Sequence, residues 1–160
     1  MVAMGACGMG SETHLAGRSI LVVEDDPLIS FELTSLFESV GAQICAVRTW
    51  KEAIPAIDQY EICAALLDHG LHEDNIAQLC GYLTECQIPY IFYTGCPDLE
   101  QRYPCAVVVQ KPASGEVLLA SMAKLLVTDP HDRAGCVATG LRPRARVESP
   151  GQGNTVRLQQ

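Results

Sequence analysis

Four runs of apolar residues, each of strand length, are spread along the first two thirds of the chain. They occupy residues 20–23, 62–67, 90–93 and 106–109. An uninterrupted apolar run of this length is typical of a strand buried on both faces, as in a parallel sheet covered by helices. A shorter strand is predicted at residues 43–47. Segments with apolar residues at helical spacing separate the strands, so the chain predicts five β/α units and a parallel sheet with right-handed crossovers.

Residues suited to helix ends support this division. Asp26 and Pro27 favour an N-cap followed by the first helical position, and Gly41 is suited to end the same helix. Ser114 is placed to cap the last helix, which carries apolar residues inward at helical spacing. The first and last helices are therefore predicted with defined starting points.

Two of the middle helices are less regular. Thr49 and Glu52 have the spacing of a capping box, which predicts a helix beginning after Thr49. Pro55 lies inside this helix, and we expect it to kink or shorten the helix because proline has no backbone N–H. Residues 97–103 leave room for only one or two turns of the fourth helix.

Polar residues follow the apolar runs at the point where each strand ends. They are the acids Glu24, Asp25 and Asp68, the hydroxyl residue Thr94 and the amine Lys111. The carboxyl ends of parallel strands meet at one edge of the sheet, where open α/β folds bind their ligands. The sequence therefore predicts that these side chains converge at one site.

The predicted cluster of three carboxylates requires positive charge. At an effective dielectric of about 20, two carboxylates about 4 Å apart repel each other by roughly 4 kcal/mol. Lys111 supplies one cation, and Mg²⁺ is the divalent ion that best combines carboxylate ligands with open positions for phosphate oxygens. Such a site could neutralise a phosphoryl group arriving on Asp68, with Thr94 bonding its oxygens and Gly95 leaving room. Any single acid could instead be a solvated strand end, and Asp26 is better explained as a helix N-cap.

The ordered combination of these motifs resembles the receiver domain of two-component response regulators. The motifs are Val-Val-Glu-Asp-Asp-Pro, Leu-Leu-Asp-x-x-Leu, Thr-Gly and Lys-Pro, and the resemblance covers residues 18–127. It implies a flavodoxin-like (βα)5 fold, a doubly wound sandwich whose five-stranded parallel sheet has the order 2-1-3-4-5. Residues 1–17 are then predicted as a flexible leader, and residues 128–160, which lack aromatic residues, as a disordered tail.

The resemblance also implies roles for the site residues. Asp68 would be the phosphoacceptor, Asp25 and Asp68 would bind Mg²⁺ directly, and Glu24 would act mainly through water. Thr94 and Lys111 would sense and neutralise the phosphoryl group. A histidine kinase or a phosphotransfer protein would donate this group, and the chain would catalyse only its own phosphorylation and dephosphorylation, so we expect a signalling protein and not an enzyme.

Residues 89–95, Pro-Tyr-Ile-Phe-Tyr-Thr-Gly, resemble a divergent copy of the Pro-Phe-x-Phe-Ala-Thr-Gly motif. This motif marks a bacterial subgroup of single-domain receivers, nicknamed FAT GUY, that act in phosphorelays, including general stress signalling. Three residues depart from common receivers: Val108 replaces an aromatic residue that moves with the switch Thr, Ala113 replaces a frequent Phe, and Tyr93 replaces a small residue. These departures predict an altered switching surface.

Two other functions remain open. The departures favour a pseudo-receiver, a binding scaffold that is not phosphorylated. An aspartyl-phosphate phosphatase is disfavoured, because such enzymes usually carry a second Asp two residues after the nucleophile, where this chain has Gly70. Gly70 and Cys96 could instead give water easy access to the phosphorylated site. His69 and His72, with Cys96 nearby, could form a zinc site, but solvated loop histidines are favoured.

Composition sets the remaining expectations. The chain of 160 residues carries a net charge of −8, and the three acids and five Arg residues from position 128 onward leave the preceding part strongly acidic. An acidic body disfavours direct nucleic-acid binding. No apolar run is long enough to span a membrane. The eight cysteines lack a CxxC pair, so we expect mostly free thiols in a reducing cytoplasm.

Overall fold

The computed structural model describes residues 14–68, 70, 73–96, 98–103 and 106–128. Within these residues, strands and helices alternate along the chain. The strands are β1 (Ser19–Val23), β2 (Gln43–Val47), β3 (Ala64–Leu67), β4 (Tyr90–Thr94) and β5 (Val107–Gln110). The helices are α1 (Pro27–Ser39), α2 (Trp50–Gln59), α3 (Glu73–Glu85), α4 (Leu99–Arg102) and α5 (Gly115–Thr128).

The strands form one parallel sheet in the order β2-β1-β3-β4-β5. This confirms the predicted flavodoxin-like fold. The central strands β1 and β3 are buried along their whole length, as their uninterrupted apolar runs predicted.

Each face of the sheet carries its own hydrophobic cluster. Along β1, Ile20 and Val22 belong to the first cluster, with α1 and α5, whereas Leu21 and Val23 belong to the second, with α2 and α3. The alternation follows from the two-residue period of a strand. The helices therefore cover both faces of the sheet.

The first cluster extends to a residue before β1. Leu15 is fully buried there, although the sequence gives it no place in a predicted element. The N–H of Gly17 donates to the carbonyl of Gly41 at 2.8 Å, which holds this segment against the end of α1. Gly41 has a φ of 83°, a left-handed conformation that suits glycine at a helix end.

The predicted N-caps are present. Asp26 accepts hydrogen bonds from two backbone N–H groups of the first turn of α1, at 2.8 and 3.2 Å. Thr49 accepts from the N–H of Glu52 at 3.3 Å, while the Glu52 carboxylate accepts from the N–H of Arg48 at 2.9 Å. Ser114 caps α5 by accepting from a backbone N–H at 3.3 Å. These bonds satisfy first-turn donors that have no intrahelical acceptor.

Pro55 does not shorten α2, so that part of the prediction is wrong. The helix continues through Pro55 to Gln59. The carbonyl that loses its hydrogen bond is that of Lys51, in the first turn, where the residue is exposed and water can replace the bond. The prediction of a short fourth helix is confirmed, because α4 has only 4 residues.

The cysteines differ in state. Cys45, Cys80, Cys86 and Cys96 are reduced thiols. Cys63 is disulfide-bonded, so the expectation of a free thiol is wrong at this position. No helix in the described part of the chain is long and apolar enough to cross a membrane.

Tyr90, at the start of β4, provides a test of packing on the second face. Burial raises the pKa of Tyr90 to about 12, and the neighbouring Cys80 adds to the rise. We expect Tyr90 to keep its proton in the folded state while the unfolded chain ionises near the ordinary value of 10. Its contribution to stability is therefore complete below pH 10 and is lost as the pH rises toward about 12.

The phenolate absorbance of the folded protein measures this titration. We expect a late phenolate step near pH 12 in the parent, and Tyr90→Phe to remove that step. A variant that keeps the late step would show that another tyrosine is responsible.

Candidate functional site

Backbone hydrogen bonds place the predicted site residues at the same edge of the sheet. Asp68 follows β3, and its N–H donates to the carbonyl of Val23 at 2.9 Å. Lys111 follows β5, and its N–H donates to the carbonyl of Thr94 at 2.7 Å. Glu24, directly after β1, is joined to β2 by a backbone bond of 3.1 Å. Parallel pairing therefore brings together residues that lie as many as 87 positions apart.

The three predicted acids form a compact group. Glu24, Asp25 and Asp68 each place a carboxylate oxygen within 4.8 Å of the others. Glu24 is 1% exposed and Asp68 is 7% exposed, whereas Asp25 lies on the solvent side. Carboxylate oxygens are the ligands that Mg²⁺ and Ca²⁺ prefer. The donor set thus fits a hard divalent cation entering from the side of Asp25.

Lys111 bridges the two buried acids. Its Nζ lies 2.9 Å from Oε2 of Glu24 and 3.2 Å from Oδ1 of Asp68. The other Glu24 oxygen, Oε1, accepts from the backbone N–H of Asp26 at 3.1 Å. Since both Glu24 oxygens have protein partners, Asp25 and Asp68 are the acids with more capacity for direct metal coordination.

The charges at this edge depend on one another. Burial raises the pKa of Glu24, and the hydrogen bonds from Lys111 and from the N–H of Asp26 offset only part of this rise. Burial alone would lower the pKa of Lys111, but its hydrogen bond to Glu24 and the charge of Asp68 raise it above the ordinary value. Lys111 therefore remains an ammonium at neutral pH.

Thr94 lies at the same edge and is 2% exposed. Its hydroxyl oxygen accepts from the N–H of Cys96 at 3.1 Å. Open space surrounds Gly95, where an added Cβ would meet no atom within 4 Å. The hydroxyl thus connects the end of β4 with the loop that leads to α4.

Gly70 has a closer relation to Asp68 than the sequence indicated. A Cβ at position 70 would lie 2.9 Å from Oδ2 of Asp68. This is the carboxylate oxygen that Lys111 does not hold. Any side chain at this position would displace the Asp68 carboxylate or have to move away from it, so glycine leaves Oδ2 accessible.

A groove of about 350 Å³ adjoins the acidic edge. Its lining comprises Asp25, Arg48, Thr49, Trp50, Lys51, Gly70 and Asn75. Arg48 extends toward the acids, with Nη2 3.4 Å from the backbone carbonyl of Asp25. Arg48 and Lys51 were not among the residues predicted at the site. The sequence feature that could have indicated them is the presence of two basic residues beside a helix start in an otherwise acidic domain.

The zinc alternative and the altered switching surface are not tested by the structure. His69 and His72, the residues of the zinc alternative, lie outside the described residues. Val108, in place of the usual aromatic residue, is partly buried and packs against the second cluster. The zinc alternative therefore stays a prediction.

No protein-family model and no curated protein matches the chain. Solved structures do match. A response regulator receiver protein from Sinorhizobium medicae is 18% identical with a TM-score of 0.60, over 70% of this chain and 96% of that chain. The receiver domain of the Erythrobacter litoralis PhyR response regulator is 23% identical with a TM-score of 0.61, over 72% and 94%.

A third structure has higher sequence identity. The signal receiver domain of a signal transduction histidine kinase from Syntrophus aciditrophicus is 28% identical with a TM-score of 0.59, over 71% of this chain and 92% of that chain. The edge that carries the acids, Thr94 and Lys111 therefore belongs to a domain with the fold of two-component receiver domains.

Proposed function

We propose that the chain is a single-domain response regulator that accepts a phosphoryl group on Asp68 in a Mg²⁺-dependent reaction. The observation that carries the proposal is the position of Asp68, held by Lys111 at 3.2 Å within a group of three acids on a receiver-like fold. Solvated strand ends would not require a half-buried lysine between two buried carboxylates, because burying unpaired charge is costly.

We assign different tasks to the two oxygens of Asp68. Oδ1 is engaged by Lys111, whereas Oδ2 faces Gly70 and serves as the nucleophile. Oδ2 forms a bond to the phosphorus of the donor protein's phosphohistidine. The bond between this phosphorus and the histidine nitrogen breaks, and the nitrogen keeps the electron pair. Lys111, already charged, neutralises the incoming phosphoryl oxygens without waiting for a proton.

Asp25 and Asp68 would hold Mg²⁺, with Glu24 contributing mainly through water, in line with its two protein hydrogen bonds. When bound, Mg²⁺ supplies further positive charge for the phosphoryl oxygens and reduces the repulsion between the acids. The exposed carboxylate of Asp25 gives the ion access from solvent.

The signal leaves the site through Thr94. On phosphorylation the hydroxyl turns toward the new oxygens and gives up its bond with the N–H of Cys96. This releases the loop before α4, a helix of only 4 residues. Val108 stands in place of the aromatic residue that usually moves with the switch Thr. We therefore assign the transmission of the signal to this loop.

The partners are proteins. Leu28 and Phe31, in the first turns of α1 beside the acidic edge, are 65% and 68% exposed and offer an apolar surface to a histidine kinase or a phosphotransfer protein. The acidic body disfavours nucleic acid. We also assign the protein to the FAT GUY receivers and to the cytoplasm. A panel of autophosphorylated histidine kinases from the same genome tests the proposed partner. A cognate kinase in this panel should lose its phosphoryl group to the chain.

The decisive experiment is the intact mass after incubation with acetyl phosphate and Mg²⁺. We expect one phosphoryl adduct on the parent and none on Asp68→Asn, which keeps the size of the side chain but removes the nucleophile. Asp58→Asn, an exposed acid in α2, is the control and should be phosphorylated like the parent.

Other outcomes would contradict the proposal. No adduct on the parent, together with no Mg²⁺ binding by calorimetry, would favour the pseudo-receiver scaffold. Rapid release of phosphate from added phosphomonoesters would favour a phosphatase with Asp68 as nucleophile.

A further inference from the structure

Tyr93 occupies an unusual position immediately before the switch residue Thr94. In the sheet, Tyr93 pairs with Val109 of β5, and Lys111 follows two residues later. Because side chains two apart in an extended segment point to the same face, Tyr93 and Lys111 share the face covered by α1 and α5. Tyr93 is 9% exposed and belongs to the first cluster.

The Tyr93 ring lies against the Lys111 ammonium. Nζ is 5.1 Å from the ring centroid, within the range in which the negative face of an aromatic ring attracts a cation. The same Nζ contacts Glu24 at 2.9 Å and Asp68 at 3.2 Å. The side chain of Lys111 is only 20% exposed, so water screens this attraction less than at an open surface. The ring therefore provides one side of the ammonium's surroundings, and the two carboxylates provide the others.

We propose that Tyr93 is a positioning residue for Lys111, whose ring holds the ammonium against Glu24 and Asp68 before the phosphoryl group arrives. A lysine side chain has four rotatable methylene bonds and many rotamers. A small residue at position 93 would leave space beside this stem, whereas the tyrosine ring fills the space and restricts the stem. The part concerning phosphoryl transfer rests on the proposed function; the contact itself does not.

The ring, and not the hydroxyl, is the active part. No hydrogen-bond partner of the Tyr93 hydroxyl lies among the described residues, and none of their buried polar side-chain atoms lacks a partner. The contact with Lys111 therefore involves the ring and not the hydroxyl. Phenylalanine should therefore replace tyrosine here without loss, while an aliphatic side chain should not.

The direct test is NMR of the full chain with labelled lysine side chains. An aromatic face shifts nearby methylene protons upfield, and the chain has three lysines, Lys51, Lys111 and Lys124. We expect upfield-shifted Lys111 ε-protons in the parent and in Tyr93→Phe, and loss of this shift in Tyr93→Leu. Lys51, whose Nζ is 5.9 Å from the Trp50 ring, is the internal control and should keep its shift in every folded variant.

The kinetic test is the initial rate of phosphorylation by acetyl phosphate. We expect Tyr93→Phe to match the parent and Tyr93→Leu to be slower by roughly three- to tenfold, the size of a partly exposed cation–π contact. An unshifted Lys111 in the parent would overturn the proposal. So would an unimpaired folded Leu variant, or a Phe variant as slow as the Leu variant.

The two proposals fail separately. The parent could take up no phosphoryl group while its Lys111 protons show the expected shift and lose it in Tyr93→Leu. This result would overturn the proposed function and retain the positioning contact. A phosphorylated parent with unshifted Lys111 protons would overturn the positioning contact and retain the proposed function.

Discussion

Replacing Phe37 by Ala is expected to lower the free energy of unfolding by about 3–5 kcal/mol. Phe37 is fully buried in the first cluster, where α1 packs against the sheet. The substitution removes the transfer free energy of the ring and leaves a cavity that tightly packed neighbours fill only in part. Denaturant unfolding of the parent and the variant measures the difference.

Phe31→Ala is the matched control on the same helix. Phe31 is 68% exposed, so we expect its loss to change the free energy of unfolding by no more than about 0.5 kcal/mol. Equal losses at both positions would mean that α1 does not pack by the face described.

Because it keeps the fold, Phe31→Ala also tests the apolar surface of Leu28 and Phe31 as the proposed docking surface. Phosphoryl transfer from a cognate kinase should slow, and the reaction with acetyl phosphate should not.

Asp25→Asn is expected to weaken Mg²⁺ binding by about 100-fold or more, since even partners that only orient a metal ligand contribute about 10- to 100-fold. The change removes one charge from a group of three acids within 4.8 Å. It should leave the fold intact or slightly more stable, because repulsion between the acids falls. Titration calorimetry with Mg²⁺ measures the affinity, and thermal unfolding measures the stability.

Asp26→Asn is the neighbouring control. Asp26 uses its carboxylate to cap α1, and asparagine is an equally good N-cap. We expect this variant to keep its Mg²⁺ affinity. An equal loss in both variants would indicate attraction by general negative charge, and full affinity in Asp25→Asn would remove Asp25 from the metal site.

The elements of the fold were predictable because their signals are local. The apolar runs of β1 and β3, the cap at Asp26 and the cap at Ser114 depend on residues within a few positions of each other, and all four appear in the structure. Pro55 was misjudged for the opposite reason: the cost of a proline in a helix depends on which carbonyl loses its bond, and here that carbonyl lies in the exposed first turn.

The content of the site divides in the same way. Parallel strands that end in acids, a hydroxyl and a lysine converge at one edge whatever the loops do, so the order of the elements sufficed to bring Glu24, Asp68 and Lys111 together. The distances among them did not follow from that order, nor did the two hydrogen bonds that occupy Glu24.

Contacts between distant segments account for what the pattern missed. Leu15 is buried because the short segment before β1 packs against the end of α1, and no local periodicity records such a contact. Tyr93 lies against Lys111 because β4 and β5 pair side by side, although the two residues are far apart in the sequence. Local patterns specify which residues can form strands, helices and caps, because these depend on backbone preference and spacing. Which side chains then meet, how deeply they are buried and how their charges shift one another depends on the packing of the whole domain.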